Sequence, residues 1–445
     1  MTATPAPPPA DAVGVLPTVA PVDDVLADLQ WRGLLAQTTD RDALARDLAA
    51  APVTLYCGFD PTADSLHIGN LVPLFALRRF QLAGHRPIAL AGGATGFIGD
   101  PGGRSSERTL MDAATIADRV VKLRGQLGRF LSFDDGPAGA ILADNLDWTA
   151  ELSVIDFLRD GGKHFPVSQM LARESVSARL ESGGLSFTEF SYQLLQSLDF
   201  VELHRRFGCT LQVGGNDQWG NITAGLDLLR RVDRASAHAL TFPLVTDSSG
   251  AKLGKSTGGG DVWLDPAMTS PYALFQFALN VDDRDIGAYL RLLTFVGQVE
   301  VEALDDDTEQ QPQLRAGQRR LARELVALIH GAAEVGRVQA ASAALFGSGA
   351  LDQLDEPTLA AALAEAPSVA VTGQCPPFVE LLAAGLGLSR SDARRAVREG
   401  GAYLNNTKVT DELTVPTDPD WLHGRFLVLR RGKRAVVVVE RAAHQ

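Results

Sequence analysis

The chain reads as an α/β protein on an open parallel sheet, followed by an all-α stretch and a small α+β end. Three observations predict this. From about residue 53, short apolar runs alternate with helical patterns. After Asp265-Pro266 the pattern is helical almost throughout, to about Phe346. The last stretch, from about residue 375, changes again, from two helices to β-rich runs at 426–429 and 435–439. Strand alternating with helix implies parallel pairing, with the ligand site at the carboxyl ends of the strands.

In chain order, the apolar run at 53–59 predicts a strand, 71–83 a helix and 87–91 a second strand. Residues 92–103 form a glycine-rich turn region, and 139–143 and 211–213 are further short strands. Ser186-Phe-Thr-Glu189 is a capping-box pattern that starts a helix, and Gly208 stops it. Residues 347–375 read as a poorly periodic connector with Gly and Pro breaks, and no internal repeat is evident. The expected organisation is a disordered tail over 1–25, the α/β body over 26–245 and a mobile loop and linker over 246–265. A helical domain over 266–346, a linker over 347–374 and a terminal domain over 375–445 complete it.

Composition bounds the function. The 445 residues are 45% apolar and 21% charged, ordinary for a globular protein with about three domains. No apolar run approaches the ~18–20 residues a membrane helix needs. The first 22 residues, rich in Ala, Pro, Thr and Val, read as a tail rather than a signal peptide. Cys57, Cys209 and Cys375 lie far apart with no Cys-x-x-Cys pair, which argues against structural zinc or a disulfide framework and fits a reducing cytoplasm. A net charge of −13 is awkward for a nucleic-acid binder. It is uneven, however: residues 375–445 carry 11 Lys/Arg against 8 Asp/Glu, a small basic module on an acidic body.

Two strings carry nucleotide chemistry. Pro-Thr-Ala-Asp-Ser-Leu-His-Ile-Gly-Asn at 61–70 follows the first strand and precedes a helix. A strand turning into a helix N-terminus makes an anion site, because unpaired N–H groups point at the ligand. His67 can donate to a phosphate oxygen that gains charge, and Gly69 admits close approach. The alternative is a turn with an incidental surface His. Pro73 falls in the early helix, where a missing N–H is tolerated. The second string is Lys252-Leu253-Gly254-Lys255-Ser256. Its two ammonium groups suit the β- and γ-phosphates of ATP, with Ser256 adding a hydroxyl; a plain basic loop is the alternative. A P-loop is rejected, since three residues rather than four separate the glycines. Gly92-Gly-Ala-Thr-Gly-Phe-Ile-Gly-Asp100 lacks the dinucleotide order and reads as close packing around a pocket that ends in a carboxylate.

On the helix after Ser186, Tyr192, Gln196 and Asp199 fall within a wedge of about 60°. Phe187, Phe190, Leu194, Leu198 and Val201 occupy a separate apolar stripe. Such a trio is either a solvated face or a set of groups that hold an ammonium and a phenolic hydroxyl.

Together, the strings at 61–70 and 252–256 resemble the paired signatures of class I aminoacyl-tRNA synthetases. The chain from about Val53 onward resembles the bacterial tyrosyl-tRNA synthetases in longer runs. These are 55–69, 92–101, Ser186-Phe-Thr-Glu-Phe-Ser-Tyr192 and Gly214-Gly-Asn-Asp-Gln-Trp-Gly-Asn-Ile-Thr-Ala-Gly225. The resemblance implies a Rossmann-like catalytic domain that activates L-tyrosine with ATP and Mg²⁺ and charges tRNA(Tyr), working as a cytoplasmic homodimer with no membrane partner. It implies catalytic roles for His67, Asn70, Lys252, Lys255 and Ser256. The substrate phenol would meet Tyr56 and Asp199, and its amino group Asp100, Tyr192 and Gln196. Gln212 and Gln218 would border the carboxylate and pocket wall. Cys57, Gly58, Asp60, Gly69, Asn70 and Asp217 would line the nucleotide side, and Lys255 would hold phosphate. Arg104 and Arg108 would assist. The family often has Lys at the Arg104 position, a second His at Asn70 and Ser at Asn216.

At 389–400, a capped short helix carries Arg390, Arg394 and Arg398 at i, i+4 and i+8, with Arg395 beside them. That face either follows a phosphate backbone or is merely solvated. With Gly401-Ala-Tyr-Leu-Asn405 and the basic residues Arg430, Arg431, Lys433 and Arg434, the end of the chain resembles an S4-type RNA-binding domain. Two rivals remain. A tryptophan-specific relative shares the fold, but Tyr56 and Asp199 suit a phenol. An RNA-binding protein without activation chemistry is opposed by the intact His67, Lys252, Lys255, Asp100 and Asp217.

Overall fold

The computed structural model describes residues 19–100, 111–171, 184–248, 261–346, 349–364, 366–432 and 435–442, with Val176, Leu180 and Gly250. The expected roles of Arg104, Arg108, Lys252, Lys255, Ser256, Lys433 and Arg434 lie outside these residues.

The chain divides into two compact units, one comprising residues 1–269 and 278–329, the other 270–277 and 330–445. The first is built on a six-stranded sheet: β1 (Gln37–Thr38), β2 (Thr54–Phe59), β3 (Arg86–Ala91), β4 (Ile141–Asp144), β5 (Cys209–Gly215) and β6 (His238–Phe242), in the spatial order β1-β6-β5-β2-β3-β4. All pairs are parallel except β1 with β6. From β2 the order runs one way to β3 and β4 and the other way to β5 and β6. The crevice between β2 and β5 is therefore a topological switch point, where open α/β sheets place their ligands.

Three helices position the site. Helix α1 (Leu71–Leu82) packs nearly all its length into the core, and Pro73 sits in its first turn. Helix α2 (Phe187–Phe207) starts at Ser186, whose side chain accepts the Glu189 N–H, and ends at Gly208 with φ 66°. That left-handed conformation is what glycine takes without strain. Helix α3 (Trp219–Val232) follows directly from the turn after β5. Phe200, Val201 and Leu203 of α2 join Tyr56, Ile88 and Leu228 in one buried cluster. Phe187 departs from the expected apolar stripe: it is exposed at the first helical turn, before the core begins.

In the second unit, β7 (Ser368–Val371), β8 (Ala402–Leu404), β9 (Thr407–Lys408), β10 (Phe426–Arg431) and β11 (Ala435–Arg441) form a sheet ordered β7-β11-β10-β8-β9. Helices α4 (Phe378–Leu386) and α5 (Arg390–Arg398) cover it around Phe378, Leu382, Trp421 and Val437. The stretch expected as a featureless connector contributes the helix Glu356–Leu363 and strand β7, which pairs parallel with β11. Its four-residue strand is too short and too exposed to show a period in sequence.

Candidate active site

A cavity of about 430 Å³ opens at the carboxyl ends of β2 and β5. Every described residue that the sequence placed in the catalytic, amino-acid or nucleotide site lines it. Tyr56, Cys57, Gly58 and Asp60 come from β2 and the turn beyond. His67, Gly69 and Asn70 come from the next turn, Asp100 from the glycine-rich loop, and Tyr192, Gln196 and Asp199 from α2. Gln212, Asp217 and Gln218 follow from β5 and its turn. The α2 trio therefore faces a cavity: Tyr192 and Asp199 are buried and Gln196 is half-buried.

Asp199 forms the floor. The Asn145 Nδ2 donates to one carboxylate oxygen at 3.0 Å and the Trp148 Nε1 to the other at 2.9 Å. Burial pushes this carboxyl up to about 7, against the lowering effect of those two hydrogen bonds. Asn145 is itself fixed, accepting the Ala94 N–H at 2.7 Å and donating to Thr95 Oγ1 at 3.1 Å. Thr95 in turn donates to Asp60 at 2.7 Å, and the Tyr192 hydroxyl donates to the other Asp60 oxygen at 2.8 Å. A continuous polar network thus runs from the end of β4 to the end of β2, and such a network fixes the rotamers of its members.

Among the described residues, three buried polar atoms in the cavity wall have no hydrogen-bond partner: Tyr56 Oη, Gln196 Oε1 and Gln212 Oε1. An unpaired buried polar group costs about 1–3 kcal/mol. Orphans clustered around one cavity mark positions that a ligand would satisfy. Burial also holds the Tyr56 and Tyr192 hydroxyls well above their ordinary range, so both remain protonated donors. The Cys57 thiol is pushed up to about 12 by burial and is no thiolate nucleophile at neutral pH.

The 61–70 string folds as a capped turn. His67 Nδ1 accepts the Gly69 N–H at 3.0 Å, and Asn70 Oδ1 accepts the His67 N–H at 3.0 Å. Since Nδ1 accepts, the ring proton sits on Nε2, the donor tautomer. Asn70 keeps the turn closed through its carbonyl oxygen, which accounts for an Asn at this place. The segment after the Lys252–Ser256 string returns to the same turn: His67 bridges Trp263, Ile68 N–H donates to the Val262 carbonyl, and Leu264 N–H to that of Leu66. Backbone pairing thereby joins the first signature to residues 262–264.

The glycine-rich loop is packed against carboxylates. A Cβ on Gly92 would collide with Asp60, and one on Gly93 with Asp144, so the backbone can pass only without side chains. Gln218 Nε2 donates to Asp100 at 2.7 Å. Asn216 ties the turn after β5 to the sheet edge, accepting from Gln37 Nε2 and Thr241 Oγ1.

Sequence reasoning missed Asn145, Trp148, Thr95 and Trp263. Asn145 and Trp148 stand just past β4, where the strand-end rule alone could have pointed to them. Among the described residues no group of three or more His, Cys, Asp or Glu side chains could hold a metal ion.

On α5, each expected RNA-facing arginine has an acidic neighbour. Arg390 pairs with Glu380 at 3.3 Å, Arg395 with Asp392 at 2.8 Å, and Arg394 and Arg398 both with Glu412, at 3.7 and 3.4 Å.

Residues 48–347 match the family described as tRNA synthetases class I (W and Y), and residues 358–439 match the tyrosine–tRNA ligase SYY-like C-terminal domain. A tyrosine–tRNA ligase of Streptomyces coelicolor is 59% identical over 420 residues, spanning 94% of this chain and 99% of that relative. Its counterpart in Mycobacterium tuberculosis is 57% identical over 419 residues, again 94% and 99%. A solved C-terminally truncated mitochondrial tyrosyl-tRNA synthetase of Aspergillus nidulans superposes with a TM-score of 0.64 at 30% identity, covering 71% of this chain and 92% of that one.

Proposed function

We propose a residue-level assignment for this chain, which belongs to the class I tRNA synthetases (W and Y) and within them to the tyrosine–tRNA ligases. The activity is attack of the tyrosine carboxylate on the α-phosphorus of ATP, releasing pyrophosphate, and then transfer of the tyrosyl group to the terminal ribose of tRNA(Tyr). The observation that carries the assignment is the set of orphaned atoms around Asp199. A phenolic hydroxyl both donates and accepts, so it satisfies Asp199 and Tyr56 Oη together. An indole N–H only donates and would leave the Tyr56 hydroxyl unpaired. The substrate ammonium, a donor of three hydrogens, meets an acceptor set in Gln196 Oε1, Asp100 and the Tyr192 oxygen. Gln212 and Gln218 close the carboxylate side.

Cys57, Gly58, Asp60, Gly69 and Asp217 line the nucleotide half, with the ribose near Cys57 and Asp217. His67 Nε2–H stabilises charge growing on the transferring phosphate, and the Nδ2 amide of Asn70 supports it. Lys252, Lys255 and Ser256 hold the departing pyrophosphate. No covalent intermediate is required; positioning and charge stabilisation supply the rate. Mg²⁺ enters as part of the Mg·ATP substrate.

The C-terminal unit is an S4-type RNA-binding domain whose α5 arginines, Arg390, Arg394, Arg395 and Arg398, follow tRNA phosphates. The terminal domain starts ahead of residue 375, with β7, whose parallel pairing with β11 makes it part of that domain's sheet. The enzyme is a homodimer. Val154, Ile155 and Val167, each at least 60% exposed on neighbouring segments, supply an apolar surface of the kind such interfaces cover. It works in the cytoplasm, consistent with three free cysteines; no described helix is long and apolar enough to cross a membrane.

The test is ATP–pyrophosphate exchange without tRNA, across tyrosine, phenylalanine and tryptophan. Exchange with tyrosine alone supports the pocket assignment. Equal exchange with tryptophan overturns it.

A further inference from the structure

We infer that Glu412 is a built-in competitor for phosphate that restrains Arg394 and Arg398 and so lowers the affinity of this face for RNA. The inference rests on the reading of α5 as an RNA face. Three observations carry it.

Among the described residues, Glu412 is the one carboxylate on this face paired with two of the arginines. Its two oxygens take one guanidinium each, from residues one helical turn apart. Asp392, by contrast, lies in the first turn of α5 and shares its carboxylate with the Ser389 cap. Glu380 takes a single arginine from the neighbouring helix. No hydrogen bond among the described residues gives Glu412 a structural duty of that kind.

Its position is also built. The loop that carries it is pinned on both sides: Val409 is buried and its N–H donates to the Ala402 carbonyl at 2.9 Å, and the Phe378 N–H donates to the Thr414 carbonyl at 2.8 Å. Leu413 N–H donates to Asp411 Oδ1 at 2.9 Å. Glu412 therefore stands beside α5 because the chain on each side of it is held there.

The charge count then decides the effect. Two exposed guanidiniums share one carboxylate, so a phosphate arriving at this face meets a net charge of +1 rather than +2. It must displace Glu412 or tolerate its repulsion. Exposed ion pairs are weak and exchange readily. The cost of displacing the carboxylate enters the binding free energy of every RNA that uses this face, so Glu412 lowers affinity without regard to sequence.

The experiment uses the full chain and Glu412→Gln, with fluorescence anisotropy on labelled tRNA(Tyr) and on a tRNA of another specificity, over a salt series. Both RNAs are expected to bind tighter, by about 2- to 5-fold at low salt, with a log–log salt slope steeper by about 0.7–0.9, one more phosphate contact realised. The ratio between the two should stay within about 2-fold. No change, weakening, or a gain confined to one RNA would each overturn the inference. Arg394→Gln/Arg398→Gln in parallel separates it from the reading beneath it. If that double variant binds every RNA as the parent does, the RNA-face reading itself fails. If it weakens binding while Glu412→Gln changes nothing, only the role of Glu412 is lost.

Discussion

The polar trio of α2 and the arginine row of α5 look alike in sequence, each a set of polar side chains at helical spacing. In the fold they are opposites. Tyr192 and Asp199 are 6% and 3% exposed and held by a hydrogen-bonded network. The side chains of Arg390, Arg394, Arg395 and Arg398 are 55–70% exposed and held by surface ion pairs. Helical spacing therefore locates a functional row, while burial decides how it works. A buried row selects by leaving wrong ligands with unpaired groups, whereas an exposed row attracts by charge and selects weakly.

The comparison can be broken first at Asp199. Asp199→Ala removes the floor, strips the Trp148 Nε1 of its partner and the Asn145 Nδ2 of one of its two, and takes away the acceptor for the substrate phenol. The expected cost is about 10³ in kcat/KM for tyrosine, from roughly 4 kcal/mol of lost pairing in a buried site. Pyrophosphate exchange reads it, and a loss below 10-fold would place Asp199 outside the pocket. His67→Ala should slow adenylate formation about 10²-fold, the range for a single charge-stabilising donor, while the tyrosine Kd moves little. Equal loss in both would remove its transition-state role.

A subtler prediction concerns pH. Burial raises the Asp199 carboxyl to about 7 in the folded protein, above its unfolded value. The folded state then binds the extra proton, so this group's contribution to stability falls as pH rises from about 4 to about 7 and is level above that. The melting temperature of the ligand-free protein should show that decline, and Asp199→Asn should flatten it. An unchanged slope in the variant would contradict the assignment. The smallest effect belongs to α5: Arg394→Gln/Arg398→Gln should weaken tRNA binding about 3- to 10-fold, uniformly across sequences, and make the salt slope shallower by about 1–2.

Much of this was legible in the chain. The sheet could be read because β2, β3 and β5 are apolar runs that end at glycine-rich or polar turns. Strand β6 carries a His and a Thr among its five residues, and β1 has only two residues, so neither announces itself. Spacing and the cap put the α2 trio on one face of a helix, and only the resemblance to the synthetases made that face a pocket rather than a solvated surface. Asn145 and Trp148 could not be read in that way, because their hydrogen bonds to Asp199 span more than 50 residues and exist only once the sheet is assembled, with β2 and β3 between β5 and β4. The acid partners of α5 were equally silent, Glu412 most of all, since a loop residue 14 positions beyond Arg398 gives no periodic signal.

The most direct test sets the two rows side by side, measuring tRNA-independent pyrophosphate exchange and tRNA charging on Asp199→Asn and on Arg394→Gln/Arg398→Gln. A selecting pocket and an attracting surface predict that the first variant loses exchange and charging together. The second should keep exchange within about 2-fold of the parent while charging at limiting tRNA declines. Intact exchange in Asp199→Asn, or lost exchange in the arginine variant, would contradict that division.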